Sequence, residues 1–155
     1  MVDEGYKNIR FRLAGRGELE EKLKKLSEKL DINEYVEFMG YISYSDIMVL
    51  LQKSDIFVLP SYYEALGCVY LEAMSCAVPA IGCKNNGIDE IIIDGVNGYL
   101  VDNKNVDQIA ECLRELMNQE KRLAVGEKAR ESVIKKYQWK NSAENLAKIY
   151  HSLNL

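Results

Sequence analysis

An α/β fold with a mainly parallel sheet is what this sequence predicts, on three observations. Short apolar runs that stop at glycine or proline alternate along the chain with stretches of helical periodicity. One of those runs, "DIFVLP" at 55–60, is apolar almost throughout and ends in proline, the profile of a strand buried on both faces. No internal repeat, low-complexity segment or linker interrupts the 155 residues, so one domain is expected over 1–155.

Each element has its own signature. "NIRFRLAG" (8–15) alternates apolar and polar residues on Ile9, Phe11 and Leu13 and ends at glycine, as a strand does. Leu19, Leu23, Leu26 and Leu30 then recur at helical spacing. "YVEFMG" (35–40) reads as the second strand, and "SYSDIMVLLQKS" as a helix with Ile47, Leu50 and Leu51 on one face and Ser43 or Ser45 as N-cap. After the strand at 55–60, "LGCVYLEAMSCA" predicts a helix, "VPAIGC" a fourth strand and "GIDEIIID" a short helix. "GVNGYLV" predicts a turn into a fifth strand. The remainder is helical: Val106, Ile109, Ala110, Leu113, Leu116 and Met117 form one apolar stripe. Ala143, Leu146, Ala147, Tyr150 and Leu153 form another, entered at Trp139.

A net charge of −4, with 48% hydrophobic and 28% charged residues, belongs to a soluble globular chain. The Lys and Arg residues of "GELEEKLKKLSEKL" and "NQEKRLAVGEKARESVIKKY" are interleaved with Glu, which predicts solvated helix faces and no nucleic-acid partner. Cys68, Cys76, Cys83 and Cys112 show no CxxC spacing, and three of them sit in apolar runs, so buried reduced thiols are expected. With neither a signal-peptide pattern nor an apolar run near roughly 18 residues, the expected location is cytoplasmic.

The stretch "PSYYEALGCVYLEAM" (60–74) carries the chemistry. Glu64 and Glu72 flank a glycine-bearing turn in apolar surroundings, and an ionised carboxylate is costly to desolvate unless it gains a partner. Crowded by Tyr70, Leu71, Ala73 and Met74, Glu72 reads as a buried acid, which marks a site or an internal salt bridge. Glu64, taken by itself, reads equally as an exposed loop residue. In parallel sheets ligands bind beyond the carboxyl ends of the strands. The turns "AGRG", "GYIS" and "PSYYEALG" follow strands one to three, so all three point to that edge. A helix beginning near Leu66 would present its first N–H groups, about Leu66 to Val69, as a seat for phosphate, with Gly67 allowing close approach. Carboxylates that accept from hydroxyls beside such a seat suit a sugar nucleotide. Tyr62 and Tyr63 either stack on a base or sugar or simply cover a loop. His151 reads as a surface residue.

The run from "RFRLAGRGELEEKL" through "YVEFMGYIS", "SDIFVLPSYYEALGCVYLEAM", "VPAIG" and "DGVNGYLV" to "YQWKN" resembles the carboxyl-terminal, donor-binding domain of retaining GT-B glycosyltransferases of the group 1 type, family 4. The resemblance covers nearly the whole chain, and its most specific element is E-x7-E, matched by Glu64 and Glu72. It implies a Rossmann-like three-layer sandwich that is an incomplete GT-B half, and a hexose transferred with retention in polysaccharide biosynthesis. By the same resemblance Glu72 binds the ribose hydroxyls and Glu64, the catalytic-site carboxylate, contacts the donor sugar. Amides of Ala65, Leu66, Gly67, Cys68 and Val69 would hold the diphosphate, Gly40 and Tyr41 would meet the base, and Gly15 and Gly17 would face the same cleft.

The donor, a nucleoside diphosphate sugar, is a substrate, so no cofactor is implied. The family's amino-terminal domain, which takes the sugar or lipid-linked acceptor, is outside this sequence, and so is the donor domain's first strand. That strand's G-R-x-x-x-K-G-like segment neutralises the leaving diphosphate, and Arg16 does not replace its Arg and Lys. Because it is central to the family's sheet, either its neighbours close the gap or a partner fills it. Ala77 and Ala65 stand where the family commonly has glycine. A membrane surface stays open as a partner of the full-length protein. No metal site is expected, because D-x-D, H-E-x-x-H and EF-hand spacings are all lacking. Two other readings stand beside this one: a nucleotide-sugar-binding module without transfer activity, and an unrelated doubly wound enzyme such as an epimerase, for which no motif places a catalytic His or Cys.

Overall fold

A computed structural model of the chain describes Val2 and residues 5–153, in two compact units, 1–47 and 48–155. In the first, β1 (Phe11–Ala14) lies parallel to β2 (Val36–Gly40), with Phe11 opposite Val36 and Leu13 opposite Phe38. α1 (Glu20–Lys29) and a 3-10 turn at Asn33–Tyr35 make the crossover that parallel pairing requires. Glu20 and Glu21 in its first turn and Lys29 in its last complement the helix dipole. Lys24 pairs with both acids at 2.9 Å. α2 (Tyr44–Gln52) starts in this unit and ends in the next. Of the two serines, Ser43 is the cap: its Oγ accepts from the Asp46 N–H at 3.2 Å while its hydroxyl lies 2.7 Å from the Asp46 carboxylate.

The second unit holds β3 (Phe57–Val58), β4 (Ala80–Cys83) and β5 (Tyr99–Val101), parallel and in that order. Its helices are α3 (Cys68–Ser75), α4 (Val106–Met117), α5 (Gln119–Lys136) and α6 (Trp139–Ser152). Successive residues of β4 and β5 serve opposite faces. Ala80 and Leu100 join one apolar cluster with Tyr70 and Met74 of α3 and Ala129 of α5, while Ile81, Tyr99 and Val101 join another with Leu116 of α4 and Val125 of α5. Helices thus cover both faces of a parallel sheet, the three-layer Rossmann-like arrangement.

Four expectations are corrected. The third strand is shorter and only half-buried: ladder bonds run from the Phe57 N–H (to Pro79, 3.0 Å) to the Leu59 N–H (to Ile81, 3.1 Å), and Pro60 has no N–H to continue them. "GIDEIIID" is a single 3-10 turn, Gly87–Glu90, whose apolar tail Ile91 and Ile92 is buried. α5 is not solvated all round, since Val125, Gly126 and Ala129 are buried at its crossing with α3 and β4. Conversely, no residue of α6 is buried, so its predicted stripe lies exposed.

Candidate functional site

At the end of the β3 ladder the chain leaves regular structure over 60–67 and re-enters it at α3. Tyr70, buried in α3, donates its hydroxyl to the Leu59 carbonyl and meets Phe57 edge to face at 5.5 Å, so strand end and helix are held together. Burial first, then Cys83 and Glu64, pushes the Tyr70 phenol above its usual range, so it stays a donor at neutral pH.

Gly67 is the N-cap of α3, at φ 69°, a left-handed conformation that glycine adopts without steric cost. A Cβ there would also lie 2.8 Å from the Tyr70 ring and 3.1 Å from Glu64 Cγ, which places the Glu64 side chain against the cap. No side chain caps the helix and its first turn holds no acid. The Tyr70 N–H turns back to the Gly67 carbonyl at 2.9 Å, which leaves those of Cys68 and Val69 without a partner among the described residues. The helix begins two residues later than expected, so the open donors are narrowed to this first turn, and Ala65 and Leu66 precede it as exposed loop.

Glu72, in the second turn of α3, is half-buried rather than buried, while Ala73 and Met74 beside it lie in the core. Neither Glu64 nor Glu72 is in an ion pair among the described residues, which removes the internal-salt-bridge reading of Glu72. Tyr62 and Tyr63 are 73% and 88% exposed. They line an open cleft of about 730 Å³ together with Glu64, Ala65, Asn85, Asn86, Gly87, Asp89 and Glu90, and Lys104 Nζ sits 5.3 Å from the Tyr62 ring centre. Its wall is acidic and rich in amides, suited to accepting from hydroxyls. Among the described residues no group of three or more His, Cys, Asp or Glu is placed to hold a metal ion. No helix of the described residues is long and apolar enough to cross a membrane.

The remaining predicted residues belong to the first unit. The Gly15 N–H donates to the Gly40 carbonyl at 2.7 Å, which joins the "AGRG" and "GYIS" turns at the carboxyl ends of β1 and β2. Gly15 and Gly17 line a depression of about 190 Å³ with Arg16 and Phe38, and Tyr41 is exposed. Sequence reasoning missed Asn86, Gly87 and Lys104. The signal for the first two was available, because "NNG" follows the carboxyl end of β4 as the other turns follow theirs.

Of the four thiols, all free, only Cys83 is buried; Cys76 and Cys112 are half-buried, and Cys68 is exposed at the open end of α3. The expectation of buried thiols therefore holds in full at Cys83 alone and fails at Cys68, which opens α3 on its exposed side, opposite the buried Tyr70.

Parallel strands with helices on both faces make this an α/β protein of Rossmann-like type, and the chain belongs to the glycosyl transferases group 1 family, whose model matches residues 2–132. It is 32% identical over 148 residues to an uncharacterized glycosyltransferase of Methanocaldococcus jannaschii, across 95% of this chain and 42% of that protein. It is 35% identical over 141 residues to the D-inositol 3-phosphate glycosyltransferase of Corynebacterium jeikeium, across 90% of this chain and 33% of that one. Among solved structures, a mutant of S. aureus TarM in complex with fondaparinux, alpha-GlcNAc-glycerol and UDP superposes with a TM-score of 0.83 at 25% identity, over 96% of this chain and 30% of that one. The fold is thus that of a GT-B carboxyl-terminal domain, and the chain spans less than half the length of the curated relatives it matches.

Proposed function

We propose that residues 1–155 form the donor-binding half of a retaining hexosyltransferase that moves a sugar from a nucleoside diphosphate to a glycan or lipid-linked acceptor, the acceptor being held by an amino-terminal domain outside this sequence. The observation that carries the reading is the open first turn of α3, where among the described residues the Cys68 and Val69 N–H groups have no partner and neither Glu64, before the cap, nor Glu72, in the second turn, has an ion pair. A diphosphate would accept from those N–H groups and gain from the helix dipole. Glu72 would accept from ribose hydroxyls and Glu64 from the hexose. Stabilising the leaving diphosphate is the main electrostatic contribution of such a site to transfer. The donor is consumed as substrate, with no cofactor. The names of the relatives support the class: one acts on D-inositol 3-phosphate, and the solved neighbour holds UDP. A cytoplasmic location, where such donors are made, completes the reading.

The test is a calorimetric or NMR titration of this chain with UDP, GDP, ADP and their hexose conjugates, beside Glu72→Ala. One base is expected to bind, and Glu72→Ala to weaken it at least tenfold, the size of a lost charge-assisted hydrogen bond pair, roughly 1.5–3 kcal/mol each. Equal, weak binding of every nucleotide by wild type and variant overturns the proposal.

A further inference from the structure

Glu64 has no regular structure of its own to aim it, since 61–66 are neither helix nor strand. What holds it is the turn after β4. The Asn86 Oδ1 accepts from the Glu64 N–H at 3.0 Å, and the same amide's Nδ2 donates to the Ser61 carbonyl at 3.1 Å. The Gly87 N–H donates to the Glu64 carbonyl at 3.2 Å. Gly87 is also close enough that a Cβ on it would lie 1.6 Å from the Ala65 carbonyl oxygen, so no other residue fits against the loop there. Both peptide groups of Glu64 are thus tied to one neighbouring turn, from either side.

We infer that Asn86 is a positioning residue for Glu64, with Gly87 providing the close approach that lets it act. The inference rests on the reading of Glu64 as the carboxylate that meets the donor sugar. Only a side-chain amide matches the loop here, because it presents one acceptor to the Glu64 N–H and one donor to the Ser61 carbonyl from the same planar group. Asp would keep the acceptor alone, and Ala would keep neither. A carboxylate on a loop contributes to recognition only when its support holds it within about 0.5 Å of the productive geometry. Asn86 would therefore act on the sugar part of the donor and leave the nucleotide part to α3.

The quantity that separates these parts is the ratio of affinities for the nucleoside diphosphate hexose and the plain nucleoside diphosphate, measured on this chain with the base that binds. Wild type is expected to prefer the conjugate roughly tenfold, as for one hydrogen bond to a charged group. Asn86→Ala should bring the ratio near unity, as Glu64→Ala should. The double variant should lose no more than either single one, the non-additivity of residues acting as a unit. Asn86→Asp should recover part of the preference. In the unliganded chain, amide hydrogen exchange at Glu64 should be protected in wild type and in Asn86→Asp and fast in Asn86→Ala, with the strands unchanged.

A preference retained by Asn86→Ala but lost by Glu64→Ala overturns the inference and leaves the proposed function standing. Faster exchange throughout the unit, with equal loss of both ligands, makes Asn86 a merely structural residue and overturns it too. Wild type that fails to distinguish conjugate from plain nucleotide removes the role of Glu64 itself, and the inference falls with that reading.

Discussion

The two units of the chain are built from the same kinds of pattern and end in opposite states. In 1–47 the leucines of α1 recur at helical spacing, yet Leu23 is 41% and Leu26 47% exposed, and among the described residues of that unit no hydrophobic side chain is buried. In 48–155, every buried hydrophobic residue of the described chain is found, from Leu51 to Ala129, and the four residues of β4 are all buried. Amphipathic spacing states which face of a helix can be buried. Whether it is buried depends on a second layer, which helices on both sides of β4 supply and a two-stranded sheet with one helix does not.

The largest effect should follow from truncation in the second unit. Met74→Ala and Ile88→Ala remove fully buried side chains and should each cost about 2–5 kcal/mol in chemical denaturation, whereas Leu23→Ala in α1 should stay within about 0.5 kcal/mol. A comparable loss at Leu23 would break the contrast between the units. Next comes Gly126→Ala, which in an ordinary helix interior would gain about 1 kcal/mol. Here the new Cβ would lie 2.1 Å from the Ala77 carbonyl oxygen, so α5 must shift and a net loss of about 1–3 kcal/mol is expected in the same denaturation. Asn97→Ala should cost about 1–3 kcal/mol. Its buried amide accepts from the Ile93 N–H at 2.6 Å and donates to the Ile91 carbonyl and the Ser132 hydroxyl at 3.2 and 3.0 Å.

The alkaline response sharpens the same division. Burial, ahead of Asp94 and Glu115, pushes the Cys112 thiol from its usual 9.0 up to about 11, and burial also raises Cys83, Tyr70 and Tyr99, all in the second unit. The folded state then holds protons that the unfolded chain releases first, so stability is full below pH 9 and falls as the pH rises toward 11. Thermal unfolding across that range, with amide exchange as the local probe, should find the loss in 48–155. The smallest effect is chemical: iodoacetamide at neutral pH should modify exposed Cys68 first and leave buried Cys83 untouched, and adding a bound nucleotide should slow the reaction at Cys68.

Much of this was legible in the sequence. The order of strands and helices, a serine cap at Ser43 or Ser45, which the structure resolves to Ser43, and the two carboxylates follow from periodicity, from local hydrogen-bonding chemistry and from the spacing of E-x7-E. These are properties of neighbours in the chain, and a sequence states its neighbours directly. The half-buried state of Glu72, the length of β3 and the exposure of α6 were not legible, because each depends on what a distant segment covers or pairs with.

The sequence by itself determined an α/β chain with a carboxylate pair around a helix start, since local sterics and apolar periodicity act over a few residues. Only the tertiary structure decided that Asn86, 22 positions after Glu64, holds its N–H, and that the Ala65 carbonyl needs a glycine opposite it. Those facts arise where β4 brings its following turn beside the loop after β3, and close packing between segments distant in sequence has no local signature.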